Sequence, residues 1–557
     1  MNFLQAKKLF EKGLEKLIAK DYESSIEFFE SSLKIAKDRP STLKNLVIAY
    51  IGINNLKKAE YYLKSLIINN EKEIDIIPLI SKIFRQTDRI PEFINFIETI
   101  KDKKIDPIFL IQKDLSIPKI FNNKDEIKYF RKNFESNLDR NLQNDFSKKF
   151  NLEIEQLDPP IFPLSYDEYD NKENFKNVVK FLRKIYPQLN YSKKNFKKNE
   201  TIKIGFISQF LNDHTIGKLF KGIILNLDYN NFEIQIFHSS QTKKDGIYKE
   251  LIESEKILNI KNFSLPNKFS EGVKIIEKRN LDIMFYPDIG MSADLYYYSF
   301  LRLAKYQMTS WGHPETTGNS SIDYFLSSKL LETKSGHLNY TEKLLLSDYL
   351  PMYYYKPVLK NILDENQIAS ENIYSCPQTL IKIHPDFDEV LLKILKKDKK
   401  AKIYFIKDKR GYLYKKVLDR FIKNLGSYID RVIFLENLSM NDYINHCGSA
   451  SVILDPYYFG SGNSFHESMY YGTPTVTKPT NYSKSRIATG AYKQMKIEKP
   501  PVVKTSEEYV EKAIEIANNK SKNLKIKKYY RDSAEKYLFE NMKFIRDLEN
   551  IFFEITN

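Results

Sequence analysis

A repeat with a period of 34 residues opens the chain and constrains its fold more than any other feature. When residues 10–35 are laid over residues 44–69, apolar or small residues coincide at helical spacing. The matched pairs are Leu14 with Ile48, Leu17 with Ile51, Asp21 with Asn55, Tyr22 with Leu56, Ser25 with Ala59, Phe29 with Leu63 and Leu33 with Ile67. This periodicity predicts stacked pairs of antiparallel helices.

Small residues mark the points where the two helices of each pair must approach closely. Ser25 and Ala59 occupy the same place in successive units, and large apolar residues surround them. The pattern resembles the tetratricopeptide repeat. Ile90, Phe93 and Ile97 continue the register and indicate a degenerate third unit. An ordinary helical hairpin domain is the alternative interpretation.

Short apolar strands alternate with helical stretches from Ile202 onward, in two series. Strands are predicted at 202–208, 232–238, 281–286, 307–311 and 324–327, and then at 402–406, 431–435, 452–455 and 475–477. Such alternation is typical of an α/β fold with doubly wound parallel sheets. Two such Rossmann-like domains in tandem form a cleft at the carboxyl ends of their strands, where ligands bind.

The sequence therefore divides into four predicted parts. These are helical repeats over residues 1–104, a helical connecting region over 105–198, and Rossmann-like domains over 199–355 and 356–557, the last with a terminal helix, Ala534–Phe552, that packs back toward the first of them.

Composition excludes several other classes of protein. The 557 residues carry a net charge of +16, but the lysines are spread along the whole chain, which favours a solvated surface that attracts anionic ligands over nucleic-acid binding. No uncharged run long enough for a membrane span and no signal peptide is present, and Cys376 and Cys447 lack the spacing of a disulfide framework or a zinc site. A cytoplasmic location is expected.

A glycine-containing turn, residues 455–467, carries the strongest sign of a ligand site. Gly460 and Gly462 allow close backbone approach, and Asn463 and Ser464 follow at the beginning of a predicted helix. Free N–H groups at such a place favour an anion, and a diphosphate is the expected occupant. Glu467 is placed to accept hydrogen bonds from ribose hydroxyls.

Five blocks of sequence resemble the catalytic region of the O-GlcNAc transferase and plant SPINDLY family, in the family's order. They are Ile204–His214, Tyr286–Met291, Trp311–Gly318, Cys376–Pro385 and Asp455–Pro479, with Arg486 beyond. The resemblance implies two Rossmann-like domains of the GT-B type and an inverting, metal-independent glycosyltransferase. It also implies that the first of these domains, residues 199–355, faces the acceptor and that the second, residues 356–557, binds the nucleotide sugar. Repeats of the tetratricopeptide kind ahead of this region are also the family's arrangement.

The resemblance implies a role for each matching residue. His214 matches a general base or acceptor-positioning histidine, and an imidazole with an ordinary pKa suits proton transfer. Lys382 matches a lysine that stabilises the leaving diphosphate. Gly462, Asn463 and Ser464 match a diphosphate-binding triplet, and Glu467 a ribose-binding aspartate.

Other positions are implied to line the same cleft, and some depart from the family. Tyr443 stands where the family has a histidine that stacks on the base, and Met440 where it has a lysine that contacts the donor. The further donor-binding candidates are Gln378, Thr379 and Gly460, and those on the acceptor side are His313, Thr316, Thr317 and Asp288.

Asp386 and Asp388 have the spacing by which other glycosyltransferases hold a divalent metal. An apolar helical run follows them, so they are interpreted as first-turn partners of a helix dipole and no metal ligand is assigned.

The predicted function is transfer of N-acetylglucosamine from UDP-GlcNAc to Ser or Thr of a protein that the helical repeats bind, with no cofactor. The alternatives are another donor such as a UDP-hexose or GDP-fucose, a cell-envelope glycan as acceptor, or a non-catalytic protein-binding scaffold.

Overall fold

The computed structural model describes residues 2–53, 55–69, 77–100, 105–146, 150–153, 157–158, 160–363 and 372–557. The chain forms two compact units, Met1–Pro118 and Lys119–Asn557. The four-part division stays a prediction, and its first boundary falls at residues 101–104, outside the described ranges.

The first unit consists of helices, the first six of which are arranged in pairs. They are α1 Asn2–Ile18, α2 Tyr22–Ile35, α3 Pro40–Gly52, α4 Leu56–Asn69, α5 Ile77–Gln86, α6 Ile90–Ile100 and α7 Pro107–Asp114. The second helices of the three pairs begin at Tyr22, Leu56 and Ile90, at intervals of 34 residues. The predicted helical repeat region is therefore confirmed.

Equivalent residues make equivalent contacts in the first two repeats. The carboxylate of Asp21 accepts a hydrogen bond from the Ser24 N–H, and Asn55 Oδ1 accepts one from the Lys58 N–H, so each caps its helix. Ser25 and Ala59 are fully buried at the close approaches, as their small size requires. Phe29 fills the space between α1 and α2 so tightly that a Cβ on Gly13 would lie 2.6 Å from its ring.

The second unit begins with helices α8 Lys124–Gln143, α9 Ile161–Leu164 and α10 Lys172–Ile185. A parallel sheet follows, with strands β1 Ile202–Ile207, β2 Phe232–His238, β3 Ile260–Ser264, β4 Leu281–Tyr286, β5 Ala304–Ser310, β6 Tyr324–Ser328 and β7 Lys343–Ser347 in the order β3-β2-β1-β4-β5-β6-β7. Helices α11 Thr215–Asn226, α12 Gly246–Ser254, α13 Phe269–Glu277 and α14 Ala293–Tyr296 connect these strands.

A second parallel sheet has the order β10-β9-β8-β11-β12. Its strands are β8 Asn372–Ser375, β9 Ala401–Ile406, β10 Val432–Leu435, β11 Val452–Leu454 and β12 Thr475–Val476. The remaining helices are α15 Asp386–Lys397, α16 Tyr412–Leu425, α17 Met440–Ser449, α18 Asn463–Ser468, α19 Ile487–Gln494, α20 Ser506–Asn518, α21 Lys520–Tyr537 and α22 Met542–Thr556. The predicted fold class, two Rossmann-like domains after a helical repeat region, is confirmed.

Three strands were not predicted from the sequence. The two edge strands of the first sheet, β3 and β7, are only partly buried, and β3 lacks the continuous apolar run of an inner strand. β8 is short and contains Asn372 and Ser375, yet it lies at the centre of the second sheet. Pairing with β9 and β11 determines its position.

The C-terminus differs from its prediction as a single helix, Ala534–Phe552. The chain turns between α21 and α22, where Glu540 has a φ of 51°. α22 lies against the first sheet, because Phe552 packs on Phe232 and Glu549 accepts a hydrogen bond from the Asp228 N–H. No helix among the described residues combines the length and apolar composition needed to cross a membrane.

We expect Phe29→Ala to lower the free energy of unfolding of the helical repeats by about 3–5 kcal/mol, because it opens a cavity between α1 and α2. Urea unfolding of the full chain, followed by circular dichroism, measures this loss. Glu27→Ala, an exposed position on the same helix, is the matched control. A loss below about 1 kcal/mol for Phe29→Ala would contradict the assigned packing.

Candidate functional site

A cavity of about 510 Å³ lies between the carboxyl ends of the two sheets. The loops that line it follow β1, β4 and β5 of the first sheet and β8, β10 and β11 of the second. Phe162 and Tyr166, at α9, complete its wall. A crevice at this edge of doubly wound sheets is the usual ligand site of such folds.

Ten of the predicted site residues line this cavity. They are His214, His313, Gln378, Thr379, Lys382, Tyr443, Gly462, Asn463, Ser464 and Glu467. Gly460 lies behind the surface, whereas Thr316, Thr317 and Asp288 lie elsewhere.

The glycine turn is organised by Asp455, which follows β11. Its buried carboxylate accepts hydrogen bonds from both the N–H and the hydroxyl of Ser461, each at 2.6 Å. A Cβ on Gly460 would lie 2.9 Å from this carboxylate, so glycine is required there for packing. A Cβ on Gly462 would meet no atom within 4 Å, so this glycine leaves open space at the cavity wall.

Lys382 places its ammonium beside this turn. Its Nζ donates to the carbonyl oxygen of Gly460 at 2.8 Å and to Gln378 Oε1 at 3.0 Å. Gln378 in turn donates from Nε2 to the hydroxyls of Ser461 and Ser464. Burial lowers the pKa of Lys382 to about 8, although the charge of Asp455 opposes the shift. The ammonium remains mostly protonated at pH 7.

Glu467 faces the cavity from α18 and is bound by groups from outside its own domain. Its Oε1 accepts a hydrogen bond from the Tyr354 hydroxyl at 3.1 Å and forms an ion pair with Lys218 Nζ at 2.8 Å. Neither partner was singled out from the sequence. Lys218 follows His214 by one helical turn at the start of α11, and that i, i+4 spacing is a signal in the sequence that was not used.

His214 caps the N-terminus of α11. Its Nδ1 accepts a hydrogen bond from the Ile216 N–H at 3.3 Å, so the neutral ring carries its proton on Nε2. The ring stacks on Phe210 at 4.5 Å. Burial, and then the charges of Lys218 and Lys243, lower its pKa to about 4, so the expected ordinary pKa was wrong. The ring is a hydrogen-bond donor at neutral pH.

Two further residues of the cavity wall, one from each Rossmann-like domain, are held in place by their contacts. The Tyr443 hydroxyl donates to the Pro377 carbonyl oxygen at 3.0 Å, which orients its ring. His313 Nε2 lies 3.0 Å from the Ser165 hydroxyl, and its ring stacks on Phe162. Burial lowers the pKa of His313 to about 4, so this ring is neutral.

Thr316 and Thr317 do not line the cleft, contrary to prediction. The Thr316 hydroxyl and the Thr317 N–H donate to the two carboxylate oxygens of Glu342, at 2.7 and 2.8 Å. All three residues are buried. The pair therefore anchors the turn that ends at Gly318, whose φ of 68° requires glycine.

Asp288 is also absent from the cavity wall, where it had been predicted. It is buried close to Ser208, and burial raises the pKa of its carboxyl to about 7.

Asp386 and Asp388 lie in the first turn of α15, and each has partners. Buried Asp388 is held by Arg420 through two contacts of 2.9 Å and by Asn424 at 2.8 Å. Asp386 accepts from the Tyr458 hydroxyl and pairs with Lys124, both at 2.7 Å. Each carboxylate therefore has an ion-pair partner that the sequence did not predict, in addition to its place in the first turn of the helix. Neither residue lines the cavity.

Two Rossmann-like domains, each with a parallel sheet, that face each other across such a cavity define the GT-B class of fold. A solved structure, a mutant of the O-GlcNAc transferase of Thermobaculum terrenum, has this fold: its TM-score is 0.73 at 16% identity, over 100% of this chain and 98% of that one. The family model Glycosyl transferase family 41 matches residues 363–548.

Curated relatives agree with this match. A probable UDP-N-acetylglucosamine–peptide N-acetylglucosaminyltransferase SEC of Arabidopsis thaliana is 23% identical over 64% of this chain and 37% of its own length. A UDP-glucose:protein N-beta-glucosyltransferase of Actinobacillus pleuropneumoniae is 23% identical over 66% and 59%. A probable SPINDLY transferase of Solanum lycopersicum is 21% identical over 66% and 40%.

The chain thus spans between about a third and three fifths of the length of these relatives. The resemblance seen in the sequence is confirmed: the chain is similar to O-GlcNAc transferases and to SPINDLY transferases, and part of it matches the glycosyl transferase family 41 model.

We expect Asp288→Asn to raise the free energy of unfolding at pH 8 by roughly 2–4 kcal/mol. The native carboxyl holds a proton up to about pH 7, whereas an unfolded aspartate loses it near 3.8, so this group destabilises the fold progressively as pH rises between these values. The gain should shrink as pH falls toward 5. Chemical unfolding at several pH values measures it.

Asp139→Asn, at an exposed position, is the control for this measurement. An equal effect of Asp288→Asn at pH 5 and pH 8 would show that the buried carboxyl is not the titrating group.

Proposed function

We propose that the chain transfers a sugar from a nucleoside-diphosphate donor to a protein side chain, with inversion and without a metal ion. The observation that carries this proposal is the Lys382 ammonium, fixed against the glycine turn inside the cavity between the sheets. A diphosphate that leaves a sugar gains negative charge, and a fixed cation at that place stabilises the transition state.

The proposed donor is UDP-N-acetylglucosamine. The names of the SEC and SPINDLY relatives include this donor, and that of the Actinobacillus relative includes UDP-glucose, so uridine is common to all three. A UDP-hexose is the runner-up. The open space at Gly462 and the oriented ring of Tyr443 suit a diphosphate and a base. Mass spectrometry of acceptor proteins incubated with a panel of sugar nucleotides, GDP-fucose included, tests the choice.

His214 is proposed to position the acceptor. Because its Nδ1 is engaged with the Ile216 N–H, Nε2 carries the hydrogen and donates to an acceptor or donor oxygen. Nε2 could accept a proton only after its own hydrogen had moved to Nδ1, and that move would break the hydrogen bond from the Ile216 N–H that caps α11. Its low pKa keeps the ring neutral throughout the physiological range. A positioning role is thus favoured over that of general base.

The helical repeats are proposed to bind the protein acceptor, which receives the sugar on a Ser or Thr side chain. Three helix pairs with a regular 34-residue period form a stack of the kind that recognises extended polypeptides. A cytoplasmic location is proposed as well, because Cys376 and Cys447 are both free thiols.

We expect Lys382→Ala to lower turnover at saturating donor by roughly two to three orders of magnitude, with donor affinity changed far less, because the charge acts chiefly on the leaving group.

His214→Ala should impair transfer to protein more than slow hydrolysis of the donor, because water needs less positioning. Steady-state kinetics and calorimetry measure both.

Lys399→Ala, at an exposed position outside the cavity, is the control. Transfer by Lys382→Ala at the parent rate would refute the mechanism, and binding of the donor without any turnover by the parent chain would favour a scaffold.

Activity is expected to persist in excess EDTA, because Lys382 supplies positive charge at the diphosphate and Asp388 is neutralised by Arg420. Turnover measured with and without the chelator checks this. A loss on chelation that Mg²⁺ or Mn²⁺ restores would contradict it.

A further inference from the structure

The cavity receives positive charge from both of its sides. Among the described residues that line it, only Lys382 and Lys218 are lysines or arginines. Lys382 comes from the second sheet's domain, and Lys218 comes from α11 of the first. Lys382 contacts the glycine turn, whereas Lys218 contacts Glu467. The two ammonium groups thus serve different parts of one site.

Glu467 presents an electrostatic problem that Lys218 resolves. Its side chain is 7% exposed and faces a cavity suited to a diphosphate, so an uncompensated carboxylate there would repel the ligand. Lys218 Nζ lies 2.8 Å from the same Oε1 that accepts the Tyr354 hydroxyl. This ion pair cancels the charge and leaves the second oxygen, Oε2, with no contact to Lys218 or Tyr354.

The ion pair also crosses the cleft. Lys218 lies one turn beyond His214 on α11 of the first Rossmann-like domain, and Glu467 lies on α18 of the second, so this contact joins the two domains. Asn463 Nδ2 donates to the Thr215 carbonyl oxygen at 3.1 Å beside it. The Lys218 ammonium also lies 3.3 Å from the Met440 sulfur, at the rim of the nucleotide side.

We propose that Lys218 is a positioning residue of the donor site: it holds Glu467 across the closed cleft in the orientation that binds the donor's ribose hydroxyls, and it offsets the carboxylate charge beside the diphosphate. This inference rests on the proposed nucleotide-sugar function. It assigns to the first Rossmann-like domain a direct part in donor affinity, although the other donor-binding candidates all belong to the second.

The test compares Lys218→Met, which keeps the length of the side chain and removes its charge, with the parent chain. UDP affinity by calorimetry should fall about tenfold and donor KM should rise in parallel, while kcat at saturating donor changes less than about threefold. Lys218→Arg should stay within about threefold of the parent, because it keeps the charge. Lys221→Met is the matched control, since Lys221 lies on the same helix and pairs with Glu250 outside the cavity.

A double-mutant cycle tests whether Lys218 acts through Glu467. In the Glu467→Gln background, Lys218→Met should change UDP affinity less than about threefold, because no carboxylate remains to be held. An undiminished tenfold loss in that background would show direct binding of the diphosphate and overturn the proposal. Unchanged affinity in the single variant, or a loss in Lys218→Arg equal to that in Lys218→Met, would overturn it as well.

Thermal unfolding and the parent's own behaviour separate the remaining outcomes. The midpoint temperature of thermal unfolding of Lys218→Met should lie within about 2 °C of that of Lys221→Met. If the loss of UDP affinity came with a much larger drop in this midpoint, Lys218 would have a structural role and the proposal would be refuted. Failure of the parent chain to bind UDP would overturn both the donor class and this inference. Binding without transfer would refute only the proposed function.

Discussion

The buried carboxylate of Asp455 is the group on which the geometry of the cavity depends. Asp455 follows β11, and its carboxylate accepts two hydrogen bonds from Ser461 and so bends the chain into the glycine turn. That bend directs the carbonyl oxygen of Gly460 at the Lys382 ammonium. Burial raises the pKa of Asp455 and lowers that of Lys382, and the attraction between the two charges opposes both shifts. Hydrogen bonds through Ser461 and the Gly460 carbonyl group thus connect the Asp455 carboxylate with the Lys382 ammonium.

Buried polar contacts also join the two Rossmann-like domains. Lys484 is fully buried and forms an ion pair with Glu315, which also accepts hydrogen bonds from Asn171 and Ser165. Removal of one member would leave a buried charge unpaired, and this is strongly destabilising. Because the partners come from the connecting helices, the first domain and the second, this network fixes three segments at the cleft. The Tyr166 ring, stacked on Phe459, extends the same junction.

The fold was predictable where local sequence patterns determine it. The period of 34 residues predicted a helical repeat, and the observed helices α2 and α4 begin one period apart, at Tyr22 and Leu56. Apolar runs predicted most strands to within a few residues. The failures share a physical cause. β8 is short and partly polar, and the turn at Glu540 interrupts a sequence with continuous helical periodicity. Pairing between strands and packing against another domain determined these elements, and neither leaves a local signal.

For the site, the sequence alone determined which residues are suited to the chemistry: His214, Lys382 and the glycine turn at Gly462 all line one cavity. Only the tertiary structure decided how they are used. It capped a helix with Nδ1 of His214, placed Lys218 on Glu467 across the cleft and buried Asp288 away from it. The reason is that a motif records the residues near one another along the chain, whereas burial and charge pairing depend on residues hundreds of positions apart.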